Sequence, residues 1–175
     1  MRFAYADPPY LGCCRLYGHK HDRWGCWDDI ETHRKLIEYL GGAESEGYSD
    51  GWAMSCSSPS LRYLLPLCPD DCRVGPWVKP FAIFKPNVNP AFAWEPVIFR
   101  GGRRGDRTRK TIRDWHSANV TLKKGLTGAK PPSFCDWVLD LLGYEPGDTA
   151  VDLFPGTGAF GIAATSRTAS GAEGA

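Results

Sequence analysis

The chain has 175 residues, 42% of them hydrophobic and 23% charged, with a formal net charge of +1. That length accommodates one domain with its own core and leaves no room for a second catalytic domain. The near-neutral balance excludes a global electrostatic pull toward nucleic acid or a membrane, so any such binding must come from local clusters of charge.

The first predicted element is a short buried strand, Phe3-Ala4-Tyr5-Ala6, followed at once by Asp7-Pro8-Pro9-Tyr10. Two consecutive prolines remove two backbone donors and bias Asp7 toward an extended conformation, so the chain must leave the sheet there. The rigid loop that results presents a carboxylate, unclaimed carbonyls and an aromatic face close together, a set that suits a planar amino group. Beyond it, LGCCRLYGHKHDRWGCWDD has neither a helical nor a strand period and reads as an active-site loop. Trp24 and Trp27 could line a base pocket there, although loop packing is the plainer account. Cys13, Cys14, His19, His21 and Cys26 match no regular paired ligand spacing, so no metal site is expected. The seven cysteines are odd in number and scattered, which argues for reduced thiols over a disulfide framework.

Asp28 or Asp29 caps the next predicted element, the helix IETHRKLIEYLGG, whose Ile30, Leu36, Ile37 and Leu40 share a face and whose Gly41-Gly42 ends it. GWAMSCSS follows as a strand, and SPSLRYLLPLC as a short helix beginning at Ser58 or Pro59. CRVGPWVKPF and AWEPVIFR read as strands joined by a Pro/Asn-rich loop, which predicts an antiparallel pair at one edge of the sheet. Lys79 and Lys85 could touch phosphate, and Glu95 reads as a buried hydrogen-bonding or a catalytic residue. Then Arg100, Arg103, Arg104, Arg107, Arg109, Lys110 and Arg113 crowd together, with only Asp106 and Asp114 to offset them. A bare basic run is usually a solvated loop, but Trp115 and His116 add stacking surfaces, so residues 100–116 form a candidate nucleic-acid contact.

PPSFCDWVLDLLGYEPGD predicts an amphipathic helix with Ser133 in its cap region, apolar Phe134, Trp137, Val138, Leu141 and Leu142, and Gly143 closing it. In TAVDLFPGTGAFGIAA a strand with Ala150, Val151, Leu153 and Phe154 runs into Pro155-Gly156-Thr157-Gly158 and a helix start. A single domain is therefore expected over residues 1–168, with a small, polar, disordered tail over 169–175. No apolar run approaches the roughly 20 residues that span a bilayer, and the N-terminus has no apolar targeting region, so a cytoplasmic protein with no membrane partner is expected.

Asp152, Phe154, Gly156 and Gly158 form D-x-F-x-G-x-G, which resembles the cofactor loop of S-adenosylmethionine-dependent methyltransferases. Together with Asp7-Pro8-Pro9-Tyr10 it resembles the family of amino-group DNA methyltransferases, which modify the exocyclic nitrogen of adenine or cytosine. PWVKP and WEPVIFR are similar to later sheet segments of that family, and GAKPPSFCDWVLDLLG to the helix motif that precedes its cofactor loop. Catalytic loop first and cofactor loop last is similar to the circularly permuted arrangement, particularly in small phage- or prophage-type members associated with restriction-modification.

The resemblance implies an α/β, Rossmann-like S-adenosylmethionine-dependent methyltransferase fold, with a shortened sheet and an antiparallel edge pair. It implies catalysis by Asp7, Pro8, Pro9 and Tyr10, and S-adenosyl-L-methionine held by Asp152, Phe154, Pro155, Gly156, Thr157, Gly158 and Lys130. DNA would be the substrate, bound through Arg100, Arg103, Arg104, Arg107, Arg109, Lys110 and Arg113, with adenine N6 preferred over cytosine N4. Base flipping and direct methyl transfer would need no covalent cysteine intermediate. The permuted family usually carries two more strand-helix units after the cofactor loop. Their absence places the cofactor strand at an exposed edge, where a second copy or a partner chain would cover it. The competing expectation is a catalytically reduced relative acting as a DNA-binding or partner subunit, and a third keeps the chemistry on RNA bases or glutamine amides.

Overall fold

Strand β1 (Arg2–Ala6) is buried from Phe3 onward and lies between two parallel neighbours, β2 (Gly51–Ser55) and β6 (Thr149–Asp152). A strand covered on both faces reads as a continuous apolar run, which is why Phe3-Ala4-Tyr5-Ala6 shows no alternation. Strand β3 (Arg73–Val78) and strand β4 (Trp94–Gly101) pair antiparallel, β4 also pairs antiparallel with β2, and the two-residue β5 (His116–Ser117) runs parallel to β3. The resulting order is β5-β3-β4-β2-β1-β6, with only β4 running against the rest. The computed structural model describes residues 1–16, 25–42, 48, 50–81, 87–105, 109–121 and 129–172.

Helix α1 (Ile30–Leu40) and the helical stretch containing α2 (Leu61–Leu64) cover one face, packing Leu36, Ile37, Leu40 and Leu64 against Ala4, Trp52, Met54 and Ile98. Helices α3 (Pro132–Leu142) and α4 (Ala159–Ala172) cover the other, against Phe3, Tyr5, Trp77, Val97 and Phe99. Alternate residues of β1 thus serve opposite cores, as the pleat requires. Phe134 anchors the second core: it is fully buried, with its ring 4.9 Å from Trp77, 5.8 Å from Trp137 and 6.1 Å from Tyr5. Phe134→Ala should lower the unfolding free energy by about 3–5 kcal/mol in urea titration. A loss under about 1 kcal/mol would contradict that packing.

Local signals explain most boundaries. Asp29 caps α1 by accepting from the Glu31 N–H at 3.0 Å, whereas Asp28 accepts from the Cys14 N–H, so the choice between the two carboxylates falls on Asp29. His33 joins the buried face of α1 and its Nε2 contacts the Trp27 carbonyl at 2.9 Å, a core position that the apolar periodicity alone did not mark. Gly143 ends α3 in the left-handed region at φ 64°, where a residue without Cβ is unstrained.

Four expectations need correction. The antiparallel pair is not at the sheet's edge, because β5 adds a strand outside β3; two residues carry no readable period. Segment 113–115 reaches that position by passing close to β3, where a Cβ on Gly75 would meet the Asp114 carbonyl oxygen at 2.3 Å. Ser133 does not cap α3: Pro131 stands at the cap, Pro132 fills the first helical position without needing an N–H, and Ser133 Oγ instead lies 3.1 Å from His116 Nε2. Strand β6 ends at Asp152, before Leu153 and Phe154. Finally, α4 continues through Ala172, so residues 169–172 of the expected disordered tail are helical.

Candidate active site

Because five strands share one direction and β4 opposes them, the C-terminal ends of β1, β2, β3 and β6 meet the N-terminal end of β4 along one edge. Asp7 follows β1, Lys79 follows β3, Glu95 is the second residue of β4, and Asp152 ends β6. In open α/β sheets ligands sit beyond the carboxyl ends of the strands, where successive connections diverge to opposite sides. Here β1 connects onward to β2 on one side, while β6 flanks its other side with Asp152 in register with Tyr5.

At this edge four charged side chains, Asp7, Lys130, Glu95 and Lys79, alternate in sign, with the neutral Tyr10 hydroxyl between the two carboxylates. Lys130, just before α3 and only 8% exposed, places Nζ 2.8 Å from Asp7 Oδ1 and 2.7 Å from Oδ2. The Tyr10 hydroxyl donates to Glu95 Oε2 at 2.8 Å and stands 3.4 Å from Asp7, a separation too long to compete with the first bond. Lys79 Nζ donates to Glu95 Oε1 at 2.5 Å, and Lys130 approaches Glu95 Oε2 at 3.7 Å. The ammonium of Lys130 also lies over the rings of Tyr10, Trp77 and Phe134, at 5.7, 5.8 and 6.0 Å from their centroids.

Burial pushes the Asp7 carboxyl up, and the charge and hydrogen bonds of Lys130 offset this only in part. Glu95 behaves oppositely: burial raises it, but two ammonium groups and the hydrogen bonds from Lys79 and Tyr10 outweigh that and hold it below its ordinary range. The Tyr10 phenol is driven up by burial and then by the negative charges of Asp7 and Glu95. Of the two carboxylates, Asp7 is the one whose burial its neighbours offset only in part, and Glu95 the one whose neighbours more than offset it.

On β6, Asp152 Oδ1 accepts from the Phe154 N–H at 3.0 Å, fixing the turn into the glycine loop. Burial pushes its carboxyl up to about 6, with the Phe154 N–H opposing and the Asp7 charge reinforcing. Gly156 and Gly158 adopt φ of 46° and 74°. A Cβ on Gly158 would meet nothing within 4 Å among the described residues, so none of them fills the space over that backbone. Phe154, assigned to the cofactor from its motif position, buries its ring in the core 5.2 Å from Trp27. Trp27 is likewise a packing residue, 2% exposed, and Trp24 lies outside the described residues.

The described part of the basic segment lies away from this edge. Arg100 pairs with Trp52 at the far end of β4, about 17 Å along the strand from Glu95. Arg100 Nε bonds Asp71 at 2.6 Å, Arg103 bonds Asp148 at 2.6 Å and the Gly143 carbonyl at 3.1 Å, and Arg109 pairs with Glu145. These three arginines brace the N-terminal edge of the sheet. Arg104, Lys110 and Arg113 are exposed there, and Arg107 lies outside the described residues. A cavity of about 410 Å³ also opens on that side, lined by Arg73, Phe99, Ile112, Arg113, Trp115 and Leu141. Among the described residues no cluster of His, Cys, Asp and Glu is arranged to hold a metal, no helix is long and apolar enough to cross a membrane, and His19, His21 and Lys85 fall outside them.

No known family model and no curated protein matches the chain. Among solved structures, the crystal structure of M1.HpyAVI is similar over 95% of this chain and 76% of its own, with a TM-score of 0.58 at 14% identity. The M1.HpyAVI-SAM complex is similar over 95% of this chain and 78% of its own, with a TM-score of 0.56 at 15% identity. At such identity the likeness speaks for the fold. The fold is the Rossmann-like methyltransferase fold. Its antiparallel strands are present as expected from the sequence, displaced one position inward by β5.

Lys130 and the pair Lys79-Glu95 are the residues whose roles the sequence left least legible. Lys130 stands 123 positions from the carboxylate it contacts, beyond the reach of any spacing rule. Glu95 did carry a signal, a charged residue on the inward parity of an otherwise apolar strand, opposite Trp77.

Proposed function

We propose that the chain transfers a methyl group from S-adenosylmethionine to the exocyclic amino group of a nucleic-acid base, with adenine N6 in DNA as the preferred target over cytosine N4. The observation that carries this reading is the placement of two partly buried carboxylates, Asp7 and Asp152, at the C-terminal ends of adjacent parallel strands. One precedes two prolines and Tyr10; the other precedes an open glycine loop. The likeness to the M1.HpyAVI-SAM complex supports the cofactor, and the order of the Asp7 loop ahead of the Asp152 loop is the one a permuted arrangement has.

The site fits S-adenosylmethionine on its own chemistry. The Gly156-Thr157-Gly158 backbone is open to close approach, and Asp152 has a second carboxylate oxygen for the ligand's ammonium group. When bound, the cofactor supplies an electrophilic methyl group. Asp7, with the Pro8 carbonyl, would accept hydrogen bonds from both protons of the target amine and so localise the nitrogen lone pair that conjugation with the ring delocalises. As the nitrogen takes the methyl group from sulfur it must shed a proton, for which the raised Asp7 carboxyl would be the acceptor. Lys130, which holds both Asp7 oxygens, must share them with the amine; each oxygen has a lone pair to spare. Tyr10 would stack on the flipped ring. Burial pushes the Cys68 and Cys135 thiols up to about 12, so neither supplies a thiolate nucleophile near neutral pH.

Strand β6 has no neighbour on its outer side among the described residues, and a second copy or partner chain would cover that edge. The testing experiment is transfer of tritiated methyl from S-adenosylmethionine to unmethylated duplexes that contain, or lack, adenine or cytosine. Label confined to adenine-containing DNA is expected. Absence of label from every nucleic acid, with DNA binding retained, would replace this reading by the DNA-binding partner subunit, for which the remote cluster at Arg104, Lys110 and Arg113 speaks.

A further inference from the structure

We propose that Glu95, clamped by Lys79, is a positioning residue that fixes the Tyr10 ring at the mouth of the site, an inference that rests on the function proposed above. A stacking residue serves only if its ring holds one orientation. In the loop after β1, Tyr10 is only half-buried, so a directed contact at its hydroxyl adds to whatever packing holds the ring. Its orientation comes from the hydroxyl, and the geometry decides between two acceptors: Glu95 at 2.8 Å, Asp7 at 3.4 Å. Glu95 can act as a fixed post because it belongs to β4, an interior strand paired on both sides, and because its other oxygen is held by Lys79 at 2.5 Å. Lys79 in turn rests over the Trp77 ring, 5.3 Å from its centroid, and Trp77 is 2% exposed. The chain of contacts therefore runs from the rigid β3-β4 pair to the catalytic loop, which no strand pairing constrains. The shorter bonds divide the two groups expected to meet the substrate, Asp7 going to Lys130 and Tyr10 to Glu95, while the 3.4 Å contacts of the Tyr10 hydroxyl with Asp7 and Lys130 link them.

Glu95→Gln tests this with little risk to the fold. The carboxylate accepts from Lys79 through one oxygen and from Tyr10 through the other, whereas the amide turns its oxygen to Lys79, which can only donate, and its NH2 to the Tyr10 hydroxyl, so the charge-assisted bond that Tyr10 donates is replaced by a weaker neutral one. The first readout needs no activity: protein labelled with 13Cζ-tyrosine, with the Tyr10 resonance assigned through Tyr10→Phe. The charged and titratable groups facing Tyr10 are Asp7 and Tyr5 from β1 and its loop, Glu95 from β4, and Lys130 ahead of α3. Loss of the Glu95 charge and acceptor should shift the Tyr10 resonance and bring its ionisation down toward the ordinary phenol range. An unchanged resonance and titration in Glu95→Gln would overturn the proposal.

The second readout is a double-mutant cycle on methyl transfer. Glu95→Gln and Tyr10→Phe should each lower kcat about tenfold, the first by removing the charge from the Tyr10 hydrogen bond and the second by removing the bond, and the double variant no further. Cofactor KM should stay unchanged throughout, which separates positioning from general damage. Additive losses would mean that Glu95 does not act through Tyr10. If the wild type transfers no methyl group to any base, the proposed function fails, and the resonance experiment still decides whether Glu95 holds Tyr10.

Discussion

Asp7→Asn is expected to lower methyl transfer by at least about 100-fold while leaving S-adenosylmethionine affinity within about twofold, the pattern of an interaction made in the transition state and not in cofactor binding. The substitution preserves shape but takes away the charge and one acceptor, and it turns an amide donor toward the target amine or toward Lys130. Asp7 differs from a structural ion-pair partner in one respect: its carboxyl is raised although Lys130 contacts both oxygens, so Lys130 alone does not repay the cost of burying the carboxylate. A carboxylate left in that state has affinity to spare for a donor that arrives with the substrate. Lys130 retains Glu95 at 3.7 Å in the variant, which limits the loss of stability. Single-turnover methyl transfer with parallel cofactor titration checks the prediction. Activity equal to the wild type would remove Asp7 from the chemistry.

Asp152→Asn should have two effects of opposite sign. Cofactor affinity should fall sharply, because the neutral amide cannot pair with an ammonium group. The ligand-free protein should become more stable at neutral pH. The folded carboxyl titrates near 6 and the unfolded one near 3.8, so between those values the native state holds a proton that the unfolded chain has lost. Stability is then fully present below about pH 4 and is lost as pH rises through about 6. The difference between about 6 folded and 3.8 unfolded corresponds to about 3 kcal/mol at pH 7. Asparagine escapes that cost, and its amide oxygen still accepts from the Phe154 N–H. Urea denaturation across pH 4–8 should show the wild type falling relative to Asp152→Asn. Parallel curves would mean that the carboxylate is not strained in the fold, and would weaken the case that it is kept for a ligand.

Much of this architecture was legible because strong local signals agreed with one another. The double proline after Ala6, the Asp29 cap, Gly41 and Gly143 as helix ends, and the 3.6-residue period of α3 each act within a few residues, so the sequence displays them directly. The pairing of β1 with β6 spans nearly the whole chain and follows only from the motif order. What escaped reading depended on distance or on absent period. Two-residue β5 has no pattern to detect. The charges of residues 100–113 look like one cluster in sequence, but Arg100, Arg103 and Arg109 find Asp71, Asp148 and Glu145 after folding. Their position at the far edge follows from the direction of β4, which a hairpin prediction contains but a count of arginines does not. The contact of Lys130 with Asp7, across 123 positions, was not legible beside the cofactor role its motif implied.

The most direct measurement is calorimetric titration of the purified protein with S-adenosylmethionine, with Asp152→Ala as the control. The account predicts binding at micromolar strength that the control loses and Asp7→Asn keeps. Absence of heat from folded wild-type protein, both alone and with DNA present, would contradict the assignment of the Asp152 loop as a cofactor site and with it the methyl-transfer reading.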